Sequence, residues 1–268
     1  MAVIVDGSPL TIADVTAVAH RSADVETGSD LAARMAPARG LVDSIIATGE
    51  VAYGITTGFG ALSSTRIPVG QASELQYDLV RSHASGVGDL LKRPTVRAMM
   101  LLRARTLAQG YSGVRPVVVE RLVELLRRDL LPAIPDRGSV GASGDLAPFA
   151  HLALPLIGEG SFLIDGQMVD AAGVLEAEGL EPIQLEPKEG LSLLNGTEGM
   201  LAQGCLAVGR AQLLADAADA ACALSVEALM GSSRPFDARV HELRPHPGQI
   251  KSARLIAALL EGSPIGAS

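Results

Sequence analysis

The sequence predicts a mainly α-helical fold with one small β-hairpin, and three observations carry that prediction. Proline sits near the start of two separate apolar segments, residues 94–109 and 116–131, where its missing amide costs a helix least. The chain is 48% hydrophobic but only 3% aromatic and has no tryptophan, so the core must be aliphatic and rich in alanine, which suits close helix packing. The clear strand–turn–strand signal is residues 161–169, with Asp165-Gly166 as the turn pair. At 268 residues the chain can bury one large core or two smaller ones.

Taken in order, residues 2–5 form a short β-like run stopped by Asp6-Gly7-Ser8-Pro9. Thr11 and Asp14 have capping-box spacing and open a helix to about His20, whose place near the helix end suits a solvated side chain. A second helix covers residues 30–48, where Pro37 and Gly40 should kink or interrupt it. Residues 53–68, YGITTGFGALSSTRIP, are a long glycine-punctuated loop. Residues 71–86 are helical, with Leu75, Leu79 and His83 on one face. In the helices at 94–109 and 116–131, Arg103, Arg105, Arg127 and Arg128 read as solvated or interface charges.

Residues 138–156, GSVGASGDLAPFAHLALPL, are a Gly- and Ser-rich loop feeding an apolar helix. A cap at Ser143 would put Pro148 beyond the first turn, whereas a cap at Asp145 places it inside that turn, so the helix starts after Asp145 and ends near Leu154. Beyond the hairpin come a short helix at 171–178 and a Pro-rich connector, EPIQLEP, at 181–187. The connector marks the expected domain boundary, with residues 1–188 before it and 189–268 after. A long helical pattern covers residues 189–230, irregular at Asn195-Gly196-Thr197, and residues 236–260 give two short helices broken by RPHPG.

Composition excludes several classes. Net charge is −8 with no basic run, which argues against nucleic acid and anionic membranes as partners. There is no signal-peptide pattern and no 18-residue uncharged apolar run, so a soluble cytoplasmic protein is expected. Cys205 and Cys222 lie about 25 Å apart on one predicted helix and cannot pair with each other, which suits free thiols in a reducing compartment. His241, Glu242 and His246 have the wrong spacing for a zinc helix, and no metal site is expected. The central loop is neither a dinucleotide fingerprint, nor a phosphate loop, nor a hydrolase elbow.

Ala142-Ser143-Gly144 permits a different chemistry: the Gly144 nitrogen, with no side chain in its way, can attack the Ala142 carbonyl. Loss of water there and from Ser143 leaves a methylidene-imidazolone, a carbon electrophile. The longer string GSVGASGDLAP resembles the signature of the aromatic amino acid ammonia-lyases, the family of histidase and phenylalanine ammonia-lyase, and the resemblance extends over the whole chain. It implies an ammonia-lyase-like helical fold and a 4-methylidene-imidazol-5-one made from Ala142, Ser143 and Gly144, with no external cofactor and Asp145 helping ring closure. YGITTGFG resembles the family's lid, which makes Tyr53 the catalytic base, a phenol that must be lowered from its usual value near 10. LVRSHASGVG resembles the selectivity segment, where the pair Ser82-His83 goes with histidine, His-Leu with tyrosine and Phe-Leu with phenylalanine. KEGLSLLNGTEGM resembles the segment whose asparagine, here Asn195, helps hold substrate and prosthetic group.

The function so implied is deamination of L-histidine to trans-urocanate and ammonia by a homotetramer whose active sites draw on several subunits. The chain resembles only the family's first half: it stops at Gly266-Ala267-Ser268, before the end of the central helical bundle. The family's carboxylate-gripping Tyr and Arg, a Phe beside the prosthetic ring and a Glu near the imidazole have no counterpart in it. Two other readings stay open. One is a tyrosine or phenylalanine ammonia-lyase or aminomutase, which Ser82-His83 disfavours; the other is a catalytically silent helical assembly fragment.

Overall fold

The computed structural model describes residues 2–60, 63–140 and 144–265, apart from the Val69 side chain. The chain divides into two compact units, Met1–Leu206 and Ala207–Ser268. Ala142 and Ser143 lie outside the described residues.

The first unit begins with β1 (Ala2–Val5), α1 (Ile12–Ala19) and β2 (Asp24–Thr27), the strands paired in parallel from Ala2 opposite Asp24 to Val5 opposite Thr27. The capping box forms as expected: the Thr11 amide donates to Asp14 Oδ2 (2.8 Å) and the Asp14 amide to Thr11 Oγ1 (3.1 Å). These bonds, the Thr11 hydroxyl first, hold the Asp14 carboxyl below its ordinary range. α2 runs over Leu31–Thr48 with Pro37 inside it, so of the expected kink or interruption at Pro37 and Gly40 the interruption does not occur. Its Leu31, Met35 and Val42 bury along one side, and that packing on both sides of Pro37 outweighs the lost backbone bond.

α3 (Ala72–His83) ends three residues earlier than the pattern suggested, because the chain turns at once into β3 (Val87–Leu90), antiparallel to β4 (Pro135–Arg137). α4 (Arg93–Ala108) and α5 (Pro116–Arg127) form the centre of this unit. Every residue from Val96 to Ala104 on α4 is buried, so this helix has no solvent face over that stretch. α5 is amphipathic, burying Val118, Val119, Leu122, Val123, Leu125 and Leu126. Each fully buried aliphatic side chain of this kind contributes roughly 1.5–3 kcal/mol.

α6 (Leu146–Ala153) continues into a 3₁₀ turn, Leu154–Ile157. The hairpin forms from β5 (Ser161–Ile164) and β6 (Gln167–Asp170), with Asp165 and Gly166 at positive φ in the turn, followed by α7 (Ala171–Ala177). The predicted long helix splits at Asn195-Gly196-Thr197 into α8 (Glu189–Leu194) and α9 (Glu198–Ala228). α8 packs against α3 and α6, so residues 189–206 belong to the first compact unit.

The second unit holds the rest of α9, α10 (Ala238–Glu242) and α11 (Pro247–Leu260). His241 is buried there with its Nε2–H donating to the Pro235 carbonyl (3.0 Å) and its Nδ1 accepting from Gln249 (3.0 Å). Leu213, Leu214, Leu224, Leu229 and Met230 are exposed. Among the described residues no helix is long and apolar enough to cross a membrane, and no group of three His, Cys, Asp or Glu side chains converges as a metal site.

Candidate active site

Two turns that are far apart in sequence meet inside the first unit. Gly144 and Asp145 lead into α6, and Gly196 sits between α8 and α9; Gly144 and Gly196 pair as a parallel bridge, with the Asp145 amide donating to the Gly196 carbonyl at 3.3 Å. The Gly144 carbonyl accepts from the Val140 amide (2.9 Å) and the Ser139 hydroxyl (3.1 Å). Gly144 is buried at φ +72°, and a Cβ there would stand 2.9 Å from the Met200 methyl. Only glycine suits that position.

Asp145 starts α6 as the sequence indicated, but its side chain makes no bond to that helix. Its carboxylate accepts instead from Ser139 Oγ (2.7 Å) and from the amide of Met200, in the first turn of α9 (3.0 Å). Gly199 makes room for this, since a Cβ there would come within 2.9 Å of Asp145 Cγ. The carboxylate thus satisfies one otherwise orphaned amide of α9 and meets the positive end of its dipole.

Arg103 is neither the solvated nor the interface charge that the sequence suggests. It is 1% exposed, with Nη2 donating to Glu198 Oε2 (2.8 Å) and Nη1 donating to the carbonyls of Asn195 (3.1 Å) and Ser192 (3.3 Å). Its guanidinium lies 4.1 Å from the centroid of the Phe149 ring. Burial pushes its pKa down from the ordinary value, opposed by Glu198 and then by Asp145. The available signal was the apolar run around it, which leaves α4 no wet face for a charge to occupy. Arg105 and Arg128 do behave as expected, binding the Ser8 carbonyl and Glu124 at the surface.

On α3, His83 Nδ1 donates to the Leu79 carbonyl (2.9 Å), with Ser82 Oγ 3.2 Å away. Donation to a carbonyl requires a protonated Nδ1, so the neutral ring presents Nε2 as an acceptor. The turn after His83 is tied to α6 by His151, which no sequence motif marks and whose Nε2 accepts from the Gly86 amide (3.1 Å). Burial lowers the His151 pKa, which favours this neutral acceptor. Gly138 completes the contact, since a Cβ on it would stand 3.2 Å from Gly86 Cα.

Tyr53 is 55% exposed, its phenol oxygen 3.5 Å from the Gly60 amide and its ring edge-on to Phe59 (6.3 Å, 87°). Next to it, Gly54 leans on α8 so closely that a Cβ would meet Leu191 Cδ2 at 2.7 Å. Asn195 is exposed and, among the described residues, is held through its backbone, the amide donating to the Leu191 carbonyl and the carbonyl accepting from Arg103. The structure therefore brings Gly144, Asp145 and the Asn195-Gly196 turn together. Among the described residues no hydrogen bond joins the side chains of Tyr53, His83 and Asn195 to one another.

This helical scaffold presses a glycine-bound turn against the start of a long helix. The aromatic amino acid lyase profile matches residues 10–267, and the chain belongs to that family. It is similar to the histidine ammonia-lyase of Gloeobacter violaceus, with 49% identity over 99% of this chain and 52% of that protein. Among solved structures it is similar to the tyrosine aminomutase of Streptomyces globisporus, with TM-score 0.94, 43% identity, and coverage of 99% of this chain and 50% of that one. It is also similar to the histidine ammonia-lyase of Trypanosoma cruzi, with TM-score 0.88, 39% identity, and coverage of 96% and 50%. The chain spans about half the length of the curated relatives it matches.

Proposed function

We propose that this chain is the N-terminal half of a histidine ammonia-lyase, which converts L-histidine to trans-urocanate and ammonia. The observation that carries the reading is the bridge between Gly144, the last residue of Ala142-Ser143-Gly144 in sequence, and Gly196, the neighbour of Asn195. A buried Gly144 at φ +72°, where a side chain would be strained, fits the ring closure that family membership implies. The ring made from Ala142, Ser143 and Gly144 supplies an electrophilic carbon for the substrate amine. Asp145 favours its formation by holding the loop's end against α9. Tyr53 takes the substrate's β-proton, and Asn195 orients the amino acid. His83 faces the imidazole with the Nε2 that its bond to Leu79 leaves open, and Ser82 supports it. Residues 1–188 would be the domain carrying the lid and central loop, and 189–268 the start of the helical bundle. Assembly is as a cytoplasmic homotetramer, for which the exposed leucines of α9 are a supporting feature.

A tyrosine aminomutase is the second reading, favoured by the higher TM-score of 0.94 against 0.88. The test is to fuse the chain to the C-terminal half of the Gloeobacter violaceus relative and supply L-histidine, L-tyrosine and L-phenylalanine. Urocanate from histidine alone is expected. A β-amino acid from tyrosine would establish the second reading, and no product from any of the three would leave a silent assembly fragment.

A further inference from the structure

We infer that Arg103 is a positioning residue for the reaction proposed above, on which this inference rests: it sets the Asn195-Gly196 turn and, through it, the Asp145 end of the central loop. Its guanidinium touches four separate pieces of the chain, namely Ser192 on α8, the Asn195 carbonyl, Glu198 on α9, and Phe149 on α6. The Ser192 and Asn195 carbonyls belong to the end of α8, where a helix leaves acceptors unpaired and a cation is favourable. Gly196 is pressed directly onto the fork, since a Cβ there would collide with both the Arg103 guanidinium and the Glu198 carboxylate. The carbonyl of that same Gly196 receives the Asp145 amide, whose own carboxylate receives Met200. The path from Arg103 to Gly144 therefore alternates hydrogen bonds with peptide links: Arg103 to the Asn195 carbonyl, the chain on to Gly196, and the Asp145 amide to the Gly196 carbonyl.

Stability alone is a poor reason for this arrangement. A buried ion pair can usually be exchanged for apolar side chains with no loss of stability. Here the fold keeps the charge although Arg103 Nε is buried with no hydrogen-bond partner among the described residues. What an apolar replacement could not do is bind two carbonyls and a carboxylate, and a lysine, whose three donors radiate from a single nitrogen, lacks the rigid guanidinium fork that reaches all three from two separate nitrogens.

The experiment measures amide hydrogen exchange in the 268-residue chain and in its Arg103→Lys and Arg103→Met variants. Lysine keeps a cation for Glu198, which safeguards folding should methionine fail. In Arg103→Lys the amides of Asp145, Asn195 and Met200 should exchange at least about tenfold faster relative to those of Leu101 and Leu125, the scale of one hydrogen bond to a charged group. Uniform acceleration across α4 and α5, or none at the three amides, would overturn the inference. In the fusion enzyme, Arg103→Lys should lower kcat for histidine by about tenfold, again one such bond. Wild-type turnover in that variant would overturn the inference as well. A wild-type fusion that makes no urocanate would instead sink the proposed function, while the exchange result would still judge Arg103.

Discussion

Gly196→Ala offers the sharpest stability test, because the space its methyl needs is already taken. The Cβ would fall on Glu198 and Arg103, respectively 7% and 1% exposed, and Arg103 has little room to shift because it is buried with the Phe149 ring 4.1 Å from its guanidinium. Overpacking a tight site costs about 1–3 kcal/mol. Weakening the 2.8 Å Arg103–Glu198 bond adds on the order of 1–2 kcal/mol. A loss of about 2–5 kcal/mol follows, or a melting temperature lower by roughly 4–20 °C for a chain of this size. Gly204, exposed on α9 with nothing within 4 Å of its Cβ, is the control. There alanine removes a backbone-entropy cost and should raise stability by about 0.5–1 kcal/mol. Far-UV circular dichroism suits the measurement, since the chain is helical and has no tryptophan. If Gly196→Ala melts within about 1 °C of wild type, or both variants shift the same way, the packing argument around Arg103 is wrong.

Three further outcomes are expected. The folded His151 pKa lies below its unfolded value near 6.5, so its contribution is fully present above that pH and fades as pH falls through the folded pKa; urea midpoints for wild type and His151→Gln should converge on acidification, and a constant gap would refute the link to Gly86. His83→Leu in the fusion enzyme should reduce kcat/KM for histidine far more than it lowers the melting temperature, and an unchanged kcat/KM would remove His83 from the site. Intact mass should match the open sequence for the 268-residue chain and fall two waters short in the fusion, with Ser143→Ala abolishing the serine's share; a two-water deficit in the chain alone would show that its own residues enforce ring closure.

What the sequence made legible was whatever local chemistry decides. The Thr11–Asp14 box, the Asp165-Gly166 turn and the start of α6 after Asp145 each follow from a few adjacent residues, and each is present. β2, β3 and β4 were not legible, because strands of three or four mixed residues have no periodicity of their own and exist through a distant partner. The same holds at the site. The turns at Gly144 and Asn195 could be singled out separately, but their meeting, the capping of α9 by Asp145 and the burial of Arg103 are tertiary facts. His151 carried no motif at all, since a lone histidine on an apolar helix reads as core.

The bond from Asp145 to Met200 also has a kinetic meaning. It joins residues 55 apart, and closing a loop of that length costs on the order of 3–4 kcal/mol before any contact repays it. The first turn of α9 is thus completed by a segment that must arrive from elsewhere. The central loop and the head of α9 should therefore take their final form in one late step, after α4 and α5 have collapsed. On that order of events, Asp145→Ala would speed unfolding while leaving the folding rate nearly untouched. The shape of the reactive loop would be among the last things the chain acquires and the first it gives up.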